Sequence, residues 1–223
     1  PLCDAPHTGL IAVSTQNAND SDTSGEGSLS PHPPFVLASA SPRRRLLLRE
    51  AGLRPVIEPA DVDETQHPGE VPAEYVLRLA RLKAGCVSER LPGAVVLGAD
   101  TVVVLGQEVY GKPSSVAEAR IFLRRLSGRT HHVLTGVCIV RGVPVHEAAW
   151  VCRTAVRFGE LTDAEIDTYC GLVNTLDKAG AYAIQEHGHM IVAAIDGPRS
   201  NVIGLPTEEV LSRLAEFGLE LPG

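Results

Sequence analysis

The residues best suited to chemistry lie in a few short stretches, the first being Leu37-Ala38-Ser39-Ala40-Ser41-Pro42-Arg43-Arg44. An apolar run, Phe35 to Ala38, gives way to small hydroxyl residues, then Pro42, then two arginines ahead of a leucine-rich run. That order predicts a buried strand, a tight turn and a helix start, with Ser41 as N-cap and Pro42 at the first helical position. Amide groups at a helix start carry partial positive charge and attract anions. Arginine forks match phosphate geometry, so Arg43 and Arg44 favour a phosphate or polyphosphate site over two solvated surface arginines.

A second stretch carries an acid in apolar surroundings. Ala94 to Ala99 runs into Asp100-Thr101 and then Val102 to Val104. A carboxylate there is expensive unless it is paired or binds a metal. The spacing suggests that Asp100 stands near a strand end, where sheet proteins place their sites. Glu64, in Asp61-Val62-Asp63-Glu64, is a second candidate acid, balanced evenly between function and a solvated loop. Lys83 falls on the apolar side of a helix by its spacing from Val76 and Leu79, which also suits a snorkelling lysine. Lys112 precedes Pro113 and is therefore extended. The third stretch, Asp177 to Gln185, surrounds Lys178 and Gln185 with small residues. It permits close backbone approach to a ligand, or equally a tight turn into a strand.

Two other patterns carry no site. Gly106 to Lys112 matches G-x-x-x-x-G-K, but Pro113 stands where a P-loop needs Ser or Thr. His131, His132, His187 and His189 lack the carboxylates or cysteines that would fix a metal, and read as structural or exposed.

The elements that must position these residues alternate along the chain. Helices are expected over Pro42–Glu50, Pro72 to about Arg90, Ser115–Leu126, Thr162 to about Gly171, and Thr207–Phe217, two of them opening on capping boxes. Strands are expected at Phe35–Ala38, Arg54–Glu58, Ala94–Ala99, Val102–Leu105, His131–Val140 and Val145–Phe158. A further hairpin, Ala181–Ile184 with Met190–Ile195, is expected around Gly188. Interspersed helices and hairpins predict an α/β fold, a mixed sheet with flanking helices and a central cleft. Residues 1–33, rich in Ser, Thr, Asn, Asp, Gly and Pro, read as a disordered leader, leaving 34–223 as the folded domain.

Composition narrows the function. The chain has 223 residues, 44% of them hydrophobic, and a formal net charge of −7. A core of that size needs no disulfides, and an acidic protein is a poor general partner for nucleic acid. Five cysteines, an odd count with no C-x-x-C pair, favour a reducing compartment. No stretch has the length of a membrane span, and no secretory signal is visible, so the cytoplasm is expected.

Taken together, the stretches closely resemble the Maf family of nucleoside triphosphate pyrophosphatases. The blocks are L-A-S-A-S-P-R-R at 37–44, Y-V-L-R-L-A-R-L-K-A at 75–84, G-A-D-T at 98–101 and G-K-P at 111–113. L-S-G-R-T-H at 126–131, L-D-K-A-G-A-Y-A-I-Q at 176–185 and N-V-I-G-L-P at 201–206 follow in order. The resemblance implies an α/β, Maf/ITPase-like fold and hydrolysis between the α- and β-phosphates, with a divalent metal, Mg²⁺ or Mn²⁺. It assigns Asp100 as the proton acceptor, with Glu64 and Asp100 at the metal. Ser39, Arg43, Arg44, Lys83, Thr101, Lys112, Lys178 and Gln185 form the expected substrate site. Arg43, Thr101 and Gln185 match the branch that prefers dTTP and UTP. The expected partner is a nucleoside triphosphate, with no nucleic acid and no membrane, and a homodimer is compatible with the family. Rival implications are a purine (ITP/XTP) pyrophosphatase and a nucleotide-binding regulator of septum formation. Asp196 to Ser200 and Glu186-His187 depart from the family pattern near the expected base pocket.

Overall fold

The computed structural model describes residues 33–142 and 146–219. The expected leader, apart from residue 33, lies outside them. The chain order is β1 (Phe35–Leu37), α1 (Pro42–Glu50), β2 (Val56–Ile57), α2 (Pro72–Arg90), β3 (Val95–Leu105), β4 (Glu108–Tyr110), α3 (Val116–Leu126) and β5 (Thr130–Arg141). Then come β6 (His146–Phe158), α4 (Asp163–Leu172), β7 (Val192–Asp196), α5 (Arg199–Ile203) and α6 (Thr207–Leu214). The sheet order is β2-β1-β3-β5-β6-β7, with β4 also paired to β3. β2, β1 and β3 run parallel, and β3, β5, β6 and β7 are antiparallel in turn, so the sheet is mixed. Among the described residues no helix is long and apolar enough to cross a membrane.

α2 lies against one face of the sheet, at β3 and β5, and two glycines let it come close. A Cβ on Gly98 would sit 2.3 Å from the Ala80 carbonyl oxygen, and one on Gly136 would sit 2.2 Å from that of Val76. The other face is covered by Leu47 and Leu48 of α1 and Val210 and Leu214 of α6, packed on Leu37, Leu97, Val137 and Ile139. A further core joins Leu123 of α3 and Tyr169 of α4 to Val133, Val156 and Phe158.

The caps follow the sequence. The Ser41 hydroxyl accepts from the Arg44 amide and the Ser115 hydroxyl from the Glu118 amide, while Thr162 and Glu165 complete a capping box. Three expectations need correction. Val102–Leu105 is not a separate strand: β3 runs unbroken through Asp100, which is therefore mid-strand rather than at a strand end. The hairpin around Gly188 does not form. Gly180 and Ala181 adopt positive φ, 68° and 64°, which breaks a strand at its start. Only Val192–Asp196 pairs, with β6. The short α5 was not anticipated; it is bounded by Pro198 and by Gly204 at φ 128°.

Candidate active site

The site begins with a gap in the sheet. On one side β3 pairs with β1 at Val95–Leu97 and with β4 at Val103–Leu105. Between them, Gly98–Val102 have no strand on that side among the described residues. A cleft of about 480 Å³ opens there, lined by the turn after β1, the start of α1, β3, Lys112 and the segment Asp177–Gln185. Strand alternation sends Asp100 to the α2 face and Thr101 to the opposite one.

Arg44 fills part of the gap. It is 8% exposed, and its guanidinium donates to Ala99 O at 2.9 Å, Gly204 O at 2.9 Å, Ser39 Oγ at 3.0 Å and Thr101 Oγ1 at 3.0 Å. The Ala99 carbonyl would otherwise face the missing strand. Thr101 in turn meets Thr135 Oγ1 at 3.0 Å and donates to Gly204 O at 3.2 Å. Burial lowers the Arg44 pKa, and Asp100 counters this. With five N–H donors on a guanidinium, these four contacts leave one for a ligand.

On the α2 face, Lys83 joins the two expected acids. Its Nζ lies 2.7 Å from Asp100 Oδ1 and 2.7 Å from Glu64 Oε1. Lys83 and Asp100 are buried, whereas the Glu64 side chain is 57% exposed. The Tyr75 hydroxyl donates to Glu64 O at 2.8 Å and tethers that loop to α2.

At the opposite wall, Arg43 pairs with Asp177 at 3.4 Å and donates to its carbonyl at 3.2 Å. Lys178 is buried, with Nζ 2.7 Å from both Asn174 O and Asp177 Oδ1 and 3.4 Å from Glu186. Burial would raise the Asp177 carboxyl, but the Lys178 hydrogen bond and the charges of Lys178 and Arg43 hold it below its ordinary value. Lys112 and Gln185 line the cleft and are exposed. All the sequence-predicted residues therefore border one cavity, but they divide by commitment. Arg44, Thr101 and Lys178 spend most of their polar groups on the protein itself, while Lys112 and Gln185 face open space.

The family described as Maf-like protein matches residues 34–217 of this chain. The chain belongs to the Maf family. A dTTP/UTP pyrophosphatase of Anaeromyxobacter dehalogenans (strain 2CP-C) is 53% identical over 192 residues, 85% of this Maf chain and 97% of that protein. One from Myxococcus xanthus (strain DK1622) is 51% identical over 188 residues, covering 84% and 94%. A third, from Symbiobacterium thermophilum, is 48% identical over 187 residues, covering 82% and 94%. Among solved structures, a HAM1 protein from Coxiella burnetii covers 82% of this chain and 99% of its own, at 17% identity and a TM-score of 0.40.

Asp177, Thr135, Tyr75 and the Gly204 carbonyl were not singled out from sequence. Asp177 was visible beside Lys178, but nothing in the order of residues marked it as Arg43's partner. Thr135 stands opposite Thr101 only because of the β3–β5 register. Among the described residues no three His, Cys, Asp or Glu side chains form a metal cluster. The two carboxylates on Lys83 nonetheless suit a hard divalent cation, because Mg²⁺ commonly takes one or two carboxylates and fills its shell with water and phosphate oxygens. The ammonium already marks where positive charge is held.

Proposed function

We propose that this chain hydrolyses nucleoside triphosphates, dTTP and UTP foremost, to the monophosphate and pyrophosphate. The observation that carries the reading is the buried Asp100–Lys83 pair with Glu64 on the same ammonium, in a cleft that Lys112 and Arg43 also line. The names of relatives at about half identity support the same substrates.

In this reading Asp100 and Glu64 would hold a divalent cation, which would supply charge neutralisation and acidify water. Asp100 orients the attacking water in line with the α-phosphorus and accepts its proton. The new P–O bond forms as the bond to the bridging α–β oxygen breaks, and pyrophosphate leaves. Lys83 and Lys112 neutralise charge on the phosphates and leaving group, which is the chief demand of phosphoryl transfer. Arg44 contributes its remaining donor and keeps Ser39 and Thr101 in place. Gln185, able to donate and accept, suits the edge of uracil or thymine, and Arg43 and Lys178 shape that wall. The folded domain in this reading is 34–223.

The test is pyrophosphate release from dTTP, UTP, ITP, XTP and the other common nucleotides, with and without Mg²⁺. Metal-dependent release highest with dTTP and UTP supports the proposal. Preference for ITP or XTP would move it to purine nucleotides, and binding without turnover would make the protein a nucleotide-binding regulator.

A further inference from the structure

Lys83 occupies an unusual position for a substrate-binding lysine. α2 carries it among buried Ala80, Ala84 and Val87, and the side chain reaches the cleft with 9% exposure. Its ammonium touches both carboxylates at the same 2.7 Å. The two acids differ in freedom. Asp100 is fixed on a strand paired to β5 through Gly136. Glu64 sits on a loop tied at its backbone by Tyr75, with its carboxylate more than half exposed to solvent.

A free cation entering between these acids would meet the ammonium at contact distance. Displacing it would leave a buried positive charge with no acceptor, which is strongly unfavourable. A cation that arrives on a polyphosphate changes the balance, because phosphate oxygens give the displaced ammonium new partners. We propose that Lys83 is a built-in counter-cation that closes the Asp100–Glu64 pair to free divalent metal and yields only to metal carried on a polyphosphate. Metal and nucleotide then bind with positive coupling, which is reciprocal. The second half rests on the pyrophosphatase reading; the exclusion of free metal does not.

The experiment is Mn²⁺ titration of the purified protein without nucleotide, followed by electron paramagnetic resonance. Lys83→Met is expected to bind Mn²⁺ at least about tenfold more tightly than wild type, equivalent to about 1.4 kcal/mol. Lys83→Met combined with Glu64→Gln is expected to lose that gain, which places it at this pair. Melting temperature gives a second readout: Mn²⁺ should raise it in Lys83→Met and leave wild type unchanged. Lys83→Gln, which keeps a hydrogen-bonding side chain, serves if Lys83→Met folds poorly. In wild type, adding the non-hydrolysable α,β-imido analogue of dUTP should tighten Mn²⁺ binding by a similar factor. Unchanged or weaker Mn²⁺ affinity in both lysine variants would overturn the inference, as would wild type loading Mn²⁺ equally well without the analogue. A wild type that releases pyrophosphate beside lysine variants that gain nothing sinks this inference alone. A gain in the variants beside a wild type with no turnover sinks the pyrophosphatase reading alone.

Discussion

Asp100 and Arg44 sit one on each side of the sheet gap, and they should fail in different ways. Asp100→Asn keeps the shape of the side chain and one hydrogen-bond acceptor toward Lys83. It is expected to lower pyrophosphate release at least about a hundredfold while the protein stays folded, because Glu64 remains against the Lys83 ammonium. Arg44→Lys retains charge but cannot make the four contacts to Ala99, Ser39, Thr101 and Gly204. A buried acceptor left unpaired costs about 1–3 kcal/mol, so thermal unfolding should reveal a clear drop in Tm. Lys112→Ala lies at the other extreme. Its side chain is exposed and makes no ion pair or hydrogen bond among the described residues. Steady-state kinetics should give a kcat/KM lower by about tenfold or more at unchanged stability. Sequence placed all three at one site but could not separate them. Two of Arg44's four partners are backbone carbonyls, Ala99 O and Gly204 O; the first is left open because β1 ends early, and residue order does not reveal where a neighbouring strand stops.

Among the elements, α2 does the most to set the site, because it carries Lys83 and Tyr75 and approaches the sheet through Gly98 and Gly136. Gly136→Ala would drive a methyl group into the Val76 carbonyl. Overpacking of this kind typically loses about 1–3 kcal/mol, and here it also pushes Lys83 away from Asp100. Chemical denaturation and turnover should therefore fall together in Gly136→Ala, unlike Asp100→Asn. The helix was legible from its apolar spacing and Pro72, as α1 was from Ser41-Pro42 and α4 from its capping box, since each signal is local. The segment after Lys178 was not. Ala181–Ile184 has the apolar content of a strand, yet the left-handed turn at Gly180-Ala181 sends it into the core beside Tyr169. The Gly180 amide donates to Gly111 O at 3.0 Å, a contact that bridges distant parts of the chain.

For the whole molecule, stability should depend on pH through His131. The ring is fully buried between Phe158 and Tyr182, with Nε2 2.9 Å from the tyrosine hydroxyl. Burial, aided by His132, lowers its pKa from 6.5 to about 4. The folded state therefore keeps His131 neutral where the unfolded chain takes up a proton. Its contribution is full above pH 6.5 and is lost as pH falls toward about 4, amounting to about 3 kcal/mol. Melting temperature against pH should slope across that window, and His131→Gln should flatten the slope. An unchanged slope would assign the acid loss to other groups.

The most direct test of the central claim is pyrophosphate release from dTTP and UTP by wild type and Asp100→Asn, with Mg²⁺ present and then removed by chelation. Wild type with Mg²⁺ is expected to release pyrophosphate fast and the other three conditions to lose release, with Asp100→Asn still folded. Release that persists in folded Asp100→Asn, or no release by wild type with any nucleotide, would contradict it.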